Sequence, residues 1–289
     1  MACCALADIR GEVMKNVVQV TSGLGNQMFQ YAFGLAVGAD YDVSWFGGPV
    51  GPTSVMRKYE LPQFCCEVPV IPHDRVMKLV RRPKLLRALG MRPRLETLRE
   101  PTPSVFHPEY LSRTSTNFVG YFQCEKYFLP LRERLLSEFR MRNPPAKLVA
   151  MDSDIRARNA VSLHVRRGDY VQLADTVGLC GVDYYRAAMR HVRERVKAPV
   201  FFMFSDDMAW TKEAFAGEAD CVFVDEAWDS ALCDMALMAA CRHHIIANST
   251  YSWWGAWLGE SPDKVVVAPA RWFATGERTD IVPESWTRM

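Results

Sequence analysis

The stretch Val161-Ser-Leu-His-Val-Arg-Arg-Gly-Asp-Tyr170 decides how this chain is read. Val161 to Val165 has the composition of a short strand. Arg166 and Arg167 follow at once, then Gly168, which lets the backbone turn, and Asp169, which sets a carboxylate beside the cations. A guanidinium is a rigid fork of donors that matches phosphate oxygens. In a parallel α/β sheet, ligands bind just beyond the C-terminal ends of the strands. The stretch is an anion clamp if its neighbours are also strand ends. It is an ordinary surface ion pair if they are not.

Working outward, strand-like runs recur at Val200–Phe204, Cys221–Val224, His244–Ala247 and Val265–Ala268. Helical stretches lie between them, at about Asp183–Val196, Asp207–Phe215, Ser230–Cys241 and Trp253–Leu258. This alternation predicts a parallel sheet with helices on its faces. Polar residues follow the strands: Ser205 and Asp206, then Asp225, then Asn248-Ser249-Thr250. Polar clusters at successive strand ends make a site. Two guanidiniums and a helix N-terminus near Ser249 or Thr250 suit a diphosphate. Ser205 and Asp206 suit a ribose or a base edge, because an ionised carboxylate only accepts hydrogen bonds. A nucleotide-sugar site is the natural class. His164, inside the strand, is either a packed imidazole or a sugar or phosphate contact.

The first half is less regular. Val17 to Thr21 reads as a strand, and Ser22-Gly23-Leu24-Gly25-Asn26 as a turn whose Asn26 caps a helix from Gln27 to about Gly38. The N–H groups at such a helix start seat anions or hydroxyls. The loop lacks the third glycine of G-x-G-x-x-G, which disfavours an NAD-dependent oxidoreductase. Asp42–Phe46 and Asn117–Gln123 read as strands, Glu125–Arg140 as a helix, and Pro144-Pro145 as the boundary between domains 1–145 and 146–289. The segment Gly47–Pro72 shows no period. Arg75–Arg99 carries nine Lys/Arg against one acid and is broken by Pro83 and Pro93 into helical pieces. It reads as a solvated face or as an electrostatic patch for an anionic acceptor or a membrane surface.

Composition narrows the class. The chain has 289 residues, 49% hydrophobic and 24% charged, which fits a globular protein of one or two domains. A formal charge of +2 argues against a bulk nucleic-acid binder. The nine cysteines include adjacent pairs and no C-x-x-C, so they predict reduced thiols and no zinc or redox motif. Asn16–Ala39 is uncharged and long enough to span a bilayer, yet Gln19, Thr21, Ser22, Asn26, Gln27 and Gln30 point to a strand, a turn and a buried helix. His243-His244 has no third ligand nearby, and Asp152-Ser-Asp154 precedes a strand, so no metal site is expected. Trp253, Trp254 and Trp257 read as core packing, with a sugar-stacking platform as the alternative.

Several motifs resemble glycosyltransferase family 11, the α-1,2-fucosyltransferases. They are Ser22-Gly-Leu-Gly-Asn-Gln-Met-Phe-Gln-Tyr31, Gly120-Tyr-Phe-Gln-Cys-Glu-Lys-Tyr-Phe128, His164-Val-Arg-Arg-Gly-Asp169, Phe204-Ser-Asp-Asp207, Asn248-Ser-Thr-Tyr-Ser-Trp-Trp-Gly-Ala-Trp-Leu258 and Ile281-Val-Pro-Glu-Ser-Trp286. The resemblance runs from about Val17 to the C-terminus. It departs from the family at Cys124 and in a middle segment that does not align by eye. It implies a GT-B fold, two Rossmann-like domains facing a cleft, with the acceptor on the first and the donor mainly on the second. It implies GDP-fucose as donor, the 2-hydroxyl of a galactose-terminated oligosaccharide as acceptor, inversion, and no metal or other cofactor. Bacterial members build O-antigen. The animal members' membrane anchor has no counterpart here, so a cytoplasmic protein is expected, with peripheral contact at the inner membrane through Arg75–Arg99 as an extension. Arg166 is then the diphosphate contact, Arg167 its support and Asp169 either a general base or the residue that holds Arg167 in place. Gly23, Gly25, Asn26 and Gln27 are expected to reach the donor from the first domain, with Asn26 counted as catalytic. His164, Ser205, Asp206, Asn248, Ser249 and Thr250 line the donor site. The alternatives are an α-1,6 or protein-O fucosyltransferase and a silent glycan-binding protein.

Overall fold

The computed structural model describes residues 14–46, 49–50, 55–81, 88 and 90–289. The chain divides into two compact units, Met1–Leu61 with Glu67–Arg132, and Pro62–Cys66 with Glu133–Met289. Its strands are β1 (Val17–Gln19), β2 (Asp40–Asp42), β3 (Pro49–Val50), β4 (Val55–Met56), β5 (Glu96–Arg99), β6 (Thr116–Val119), β7 (Ala160–Val165), β8 (Val200–Ser205), β9 (Cys221–Phe223), β10 (His243–Ile245), β11 (Val266–Ala268) and β12 (Thr287–Arg288).

The first unit is built on a parallel sheet in the order β2-β1-β6-β5. β3 and β4 form a separate antiparallel pair. The helix that follows β1 runs Leu24–Ala36. It starts at Leu24 with Gly23 as its cap residue, so Asn26 lies in its first turn and does not cap it. Ten of its residues are buried, and Phe33 stacks on Phe122 at 4.0 Å. Gly34 is there because Tyr41 packs against the helix: a Cβ would sit 2.3 Å from the Tyr41 ring. That fit outweighs the roughly 1 kcal/mol a mid-helix glycine costs. β2 ends at Asp42, and Ser44 and Trp45 turn away, earlier than the run to Phe46 suggests. β5 was read as part of a broken helical stretch. It is an edge strand whose residues are mostly exposed, so it carries no alternating pattern. Residues 82–87 and 89 of that basic stretch lie outside the described residues.

The second unit is built on six parallel strands in the order β12-β11-β10-β7-β8-β9. All six residues of β7 are buried. Val161, Leu163 and Val165 join one core cluster with Tyr185, Met189 and Val192 of the helix Val182–Arg193. Ser162 and His164 alternate with them and so point to the opposite face. There the Ser162 hydroxyl meets His244 Nδ1 at 2.8 Å, and the His164 ring lies 5.5 Å from that of Tyr251. Trp253, Trp254 and Trp257 of the helix Thr250–Leu258 are fully buried, which is core packing. Among the described residues, no helix is long and apolar enough to cross a membrane.

The division between units falls before Pro144-Pro145. The expected helix Glu125–Arg140 is interrupted by Pro130, leaving two short 3-10 turns and a helix over Arg132–Glu138. The end of that helix belongs to the second unit because Phe139 packs edge-on against Trp254, with ring centroids 5.1 Å apart. Phe139 also meets Phe64 at 5.1 Å. Phe64 is kept there by backbone bonds from Cys65 N to Arg140 O and from Arg142 N to Gln63 O, both 2.9 Å. Phe139→Ala should lower stability by about 3–5 kcal/mol, the usual cost of emptying a buried aromatic site, measured by urea unfolding.

Candidate functional site

Sheet register assembles the centre of the site. Val165, the last residue of β7, pairs with Ser205, the last of β8. Arg166 and Asp206 are the next residues on each strand, so they emerge side by side. Arg166 Nη1 lies 2.9 Å from Asp206 Oδ2, and Arg166 Nη2 donates to Asp169 Oδ1 at 2.5 Å. The other oxygen of Asp206 accepts the backbone N–H of Arg167 at 2.8 Å. Asp206 therefore fastens the side chain of one arginine and the main chain of the next. Burial pulls the Arg166 pKa down, but the Asp206 and Asp169 carboxylates more than offset this and leave it raised. The guanidinium stays charged. Its Nε is buried and has no partner.

Gly168 has a packing reason. A Cβ there would stand 2.4 Å from Asp206 Oδ2, so any side chain would push away the carboxylate that holds Arg166. Arg167 is held by its own neighbours. Its Nε donates to Asp207 at 3.1 Å, and its guanidinium lies over the Trp210 ring at 4.0 Å. Asp207 also caps the helix Met208–Ala214 by accepting from Trp210 N at 3.2 Å. Two guanidiniums here face three carboxylates, Asp169, Asp206 and Asp207. The cluster is not a positive patch. An anion bound here is held by directed N–H groups.

β10 brings the other wall. The Tyr170 hydroxyl, packed under Arg166, reaches Asn248 O at 3.3 Å. Ser249 then opens the helix Thr250–Leu258 without a side-chain capping bond. The first N–H groups of that helix are thus uncapped by Ser249. The His164–Tyr251 contact ties the same helix start to β7. His164 is buried with Nδ1 unpartnered, and burial, reinforced by Arg166, pushes its pKa down to about 3. It is a neutral imidazole at physiological pH.

Several expected contacts turn out to be occupied. Asp206 binds arginine on both oxygens, which is a different role from reading a base edge. The Ser205 hydroxyl accepts from Asp207 N at 2.9 Å and braces the loop. Asn248 is buried, and its Nδ2 donates to the carbonyls of Val177, Gly178 and Trp272. Asn248 holds the wall in place. Asp169 is bonded to Arg166 and not to the expected Arg167, whose partner is Asp207, and a carboxylate so paired is a holder of arginine more than a base. Asp225 pairs with Lys212 and stands apart from the Arg166 cluster. Asp152 and Asp154 each pair with an arginine four residues on, in or just past the helix Ala146–Arg156 that leads into the opposite end of β7.

The loop of the first unit is described by itself. Ser22 adopts φ +73°, a left-handed conformation that non-glycine residues rarely take. Asn26 Nδ2 donates to the Ser22 hydroxyl at 3.0 Å, and Asn26 Oδ1 accepts from Gln123 Nε2 at 2.8 Å. Gln27 is fully buried. Its Nε2 donates to Ser22 O and Lys58 O, and its Oε1 accepts from Glu60 N. That amide staples two loops and has no donor to spare for a ligand. Gly23 has open space where a side chain would stand, whereas Gly25 is buried. The sequence reading missed Glu100, whose carboxylate accepts from Tyr121 N at 2.7 Å and whose pKa burial raises.

A model of glycosyl transferase family 11 matches residues 2–289. The chain is 33% identical to the alpha-1,2-colitosyltransferase of Escherichia coli over 94% of this chain and 98% of that protein. It is 34% identical to galactoside alpha-(1,2)-fucosyltransferase 1 of Leontopithecus chrysomelas, over 47% of this chain and 41% of that one. Among solved structures it is similar to the NodZ α-1,6-fucosyltransferase soaked with GDP-fucose, at 18% identity and a TM-score of 0.47 over 85% of this chain and 92% of that chain.

The state of His164 has a measurable consequence. Its folded pKa near 3 lies below the ordinary value of 6.5, so the unfolded chain takes up the proton first. The stabilisation is full above about pH 6.5 and is lost as pH falls toward 3. In His164→Asn the slope of stability against pH between 6 and 4 should be shallower by about one proton, roughly 1.4 kcal/mol per pH unit. Urea unfolding at a series of pH values checks this.

Proposed function

The chain belongs to glycosyl transferase family 11, and on that premise we propose that it moves L-fucose from GDP-β-L-fucose to the 2-hydroxyl of a galactosyl acceptor, with inversion. The observation that carries the proposal is Arg166: a guanidinium held by carboxylates on two sides, with a buried Nε left unpaired. An orphaned N–H in a charged fork fits a diphosphate oxygen that completes it. The start of the Thr250–Leu258 helix adds backbone donors at the same strand ends.

In this reading the acceptor oxygen attacks the anomeric carbon as the bond from that carbon to the diphosphate oxygen breaks. The proton of the acceptor hydroxyl passes to solvent as the new glycosidic bond forms, and GDP departs carrying the extra negative charge. Arg166 and the N–H groups of the helix start stabilise that charge where it builds, the kind of term that is usually largest in such sites. Asp169, Asp206 and Gly168 keep the fork aimed. His164, neutral, lines the donor side, and Ser249 and Thr250 supply backbone contacts. Asn26, Gly23 and Gly25 are also proposed to bind substrate. Asp169 serves as the arginine's holder in place of a proton acceptor.

The linkage draws support from the similar proteins, since both the colitosyl- and the fucosyltransferase are named for an α-1,2 bond. They differ in donor sugar, and colitose is fucose without its 3-hydroxyl. GDP-colitose is therefore the second donor to test. O-antigen or a related glycan is the proposed product context.

Incubation with GDP-fucose and lactose should release GDP and give a product whose linkage is α-1,2 by NMR. An α-1,6 product, or transfer from GDP-colitose alone, would overturn the reading. Arg166→Lys should lower kcat/KM by roughly a hundredfold or more, because a point charge cannot replace the fork. Excess EDTA should leave the rate unchanged.

A further inference from the structure

The proposed transfer reaction draws on the Arg166 region. The described part of the first unit carries a second constellation at the C-terminal end of β2. Its geometry comes from sheet register. The segment after Glu67 runs alongside β2: Tyr41 N donates to Pro69 O and Ile71 N donates to Tyr41 O, both at 2.9 Å. Two residues beyond Ile71 comes His73, and one beyond Tyr41 comes Asp42. The pairing thus sets an imidazole against a carboxylate, with His73 Nδ1 2.7 Å from Asp42 Oδ2. Asp42 is buried, and its other oxygen accepts both the N–H and the hydroxyl of Ser44.

A carboxylate saturated in this way fixes the ring. Nδ1 is turned to the carboxylate, and Nε2 is aimed away from Asp42. The His73 side chain is 37% exposed. The Ser44 turn then places Trp45 against the histidine, with ring centroids 5.2 Å apart and planes at 86°. The two rings form a corner with an apolar indole face and a polar imidazole edge. Trp45 is 46% exposed, and among the described residues it is the one aromatic in the group of exposed large hydrophobic side chains. The tryptophans of the Thr250–Leu258 helix, by contrast, are buried and offer no face to a sugar. Phe46, the next residue, packs on Tyr59 at 5.5 Å, and the Gln27 amide holds the backbone on both sides of Tyr59. The corner is therefore braced from the same helix start that carries Asn26.

We propose that Trp45 and His73, held by Asp42 and Ser44, form a pyranose-binding subsite for the acceptor glycan. This rests on the transferase reading above. A galactose ring has one face of bare C–H groups, with its axial hydroxyl on the opposite face. The C–H face stacks on Trp45, and a neighbouring hydroxyl forms a hydrogen bond with His73 Nε2. In this subsite Trp45 and His73 touch the sugar, and Asp42 and Ser44 are positioning residues.

Saturation-transfer NMR with lactose, N-acetyllactosamine and lacto-N-biose tests the subsite without needing turnover. The wild type should saturate the galactose ring protons. Trp45→Ala should lose that signal, and Trp45→Phe should keep most of it, at unchanged Tm and with GDP affinity within about twofold of wild type. In the transfer assay, Trp45→Ala should raise the lactose KM about tenfold or more, since aromatic stacking is worth about that factor. His73→Ala should weaken the acceptor, and His73→Gln, which replaces the outer nitrogen with an amide group, should recover part of the loss. An undiminished signal in Trp45→Ala, or no signal from any of the three sugars with the wild type, overturns the subsite. The two proposals fail separately. GDP-fucose turnover with acceptor binding indifferent to Trp45 sinks the subsite alone. Sugar binding through Trp45 without any turnover sinks the transferase reading alone.

Discussion

The bond between Arg166 and Asp206 is the interaction on which the second unit's site depends. It joins two residues 40 positions apart in the chain, and nothing local brings them together. What does so is the register of β7 and β8, in which Val165 faces Ser205. That register is fixed because β7 is buried on both faces: a slip by one residue would turn Ser162 and His164 into the aliphatic cluster and expel Val161, Leu163 and Val165 from it. Apolar packing in the strand thus sets the aim of a charged group at its end. The cost of desolvating Arg166 is offset locally by Asp206 and Asp169, so the site depends on two neighbouring loops at once.

The same economy governs the first unit, where amides take the place of charges. Gln27, Gln30, Asn26 and Gln123 each spend side-chain atoms on backbone or on one another. Gln30 alone ties Thr21 N to Gly120 O, two loops that follow neighbouring parallel strands. A buried amide must satisfy both its N–H and its carbonyl groups, and in doing so it fixes the loops that carry its partners. The G-L-G-N-Q loop looks like a ligand cradle in sequence. Much of its polar content is scaffold.

How much of this was legible in the sequence follows from which forces act locally. The β–α alternation after Val161 is a strong periodic signal, and the strand ends with their polar residues could be placed from it. The burial of Trp253, Trp254 and Trp257 was also readable, because three indoles so close together need a core. Helix starts were harder. Leu24 begins a helix with no capping side chain, so the sequence offered Asn26 as a false cap. β5 is exposed and carries no alternation. The division between units was displaced because Phe139 chooses Trp254 and Phe64 as partners, a tertiary preference that a Pro-Pro dipeptide does not report. Asp207, Tyr170 and the Asp42–His73 pair were missed, although a carboxylate closing a parallel strand, as Asp42 does, is the signal that served in the second half. Occupancy was the least legible property: a sequence shows that Asp206 and Asn248 are polar, and only packing shows that their bonds are already made.

The balance of charge around Arg166 bears on how a ligand arrives. Two guanidiniums among three carboxylates leave the cluster with a slight excess of negative charge. The cluster itself then supplies no attraction at a distance for an anion, unlike a cationic funnel. Discrimination is left to the last few ångströms, where an anion must present oxygens in the plane of a fork whose carboxylate neighbours repel any other approach. Simple salts such as chloride, lacking that shape, are poor competitors for such a site even in excess.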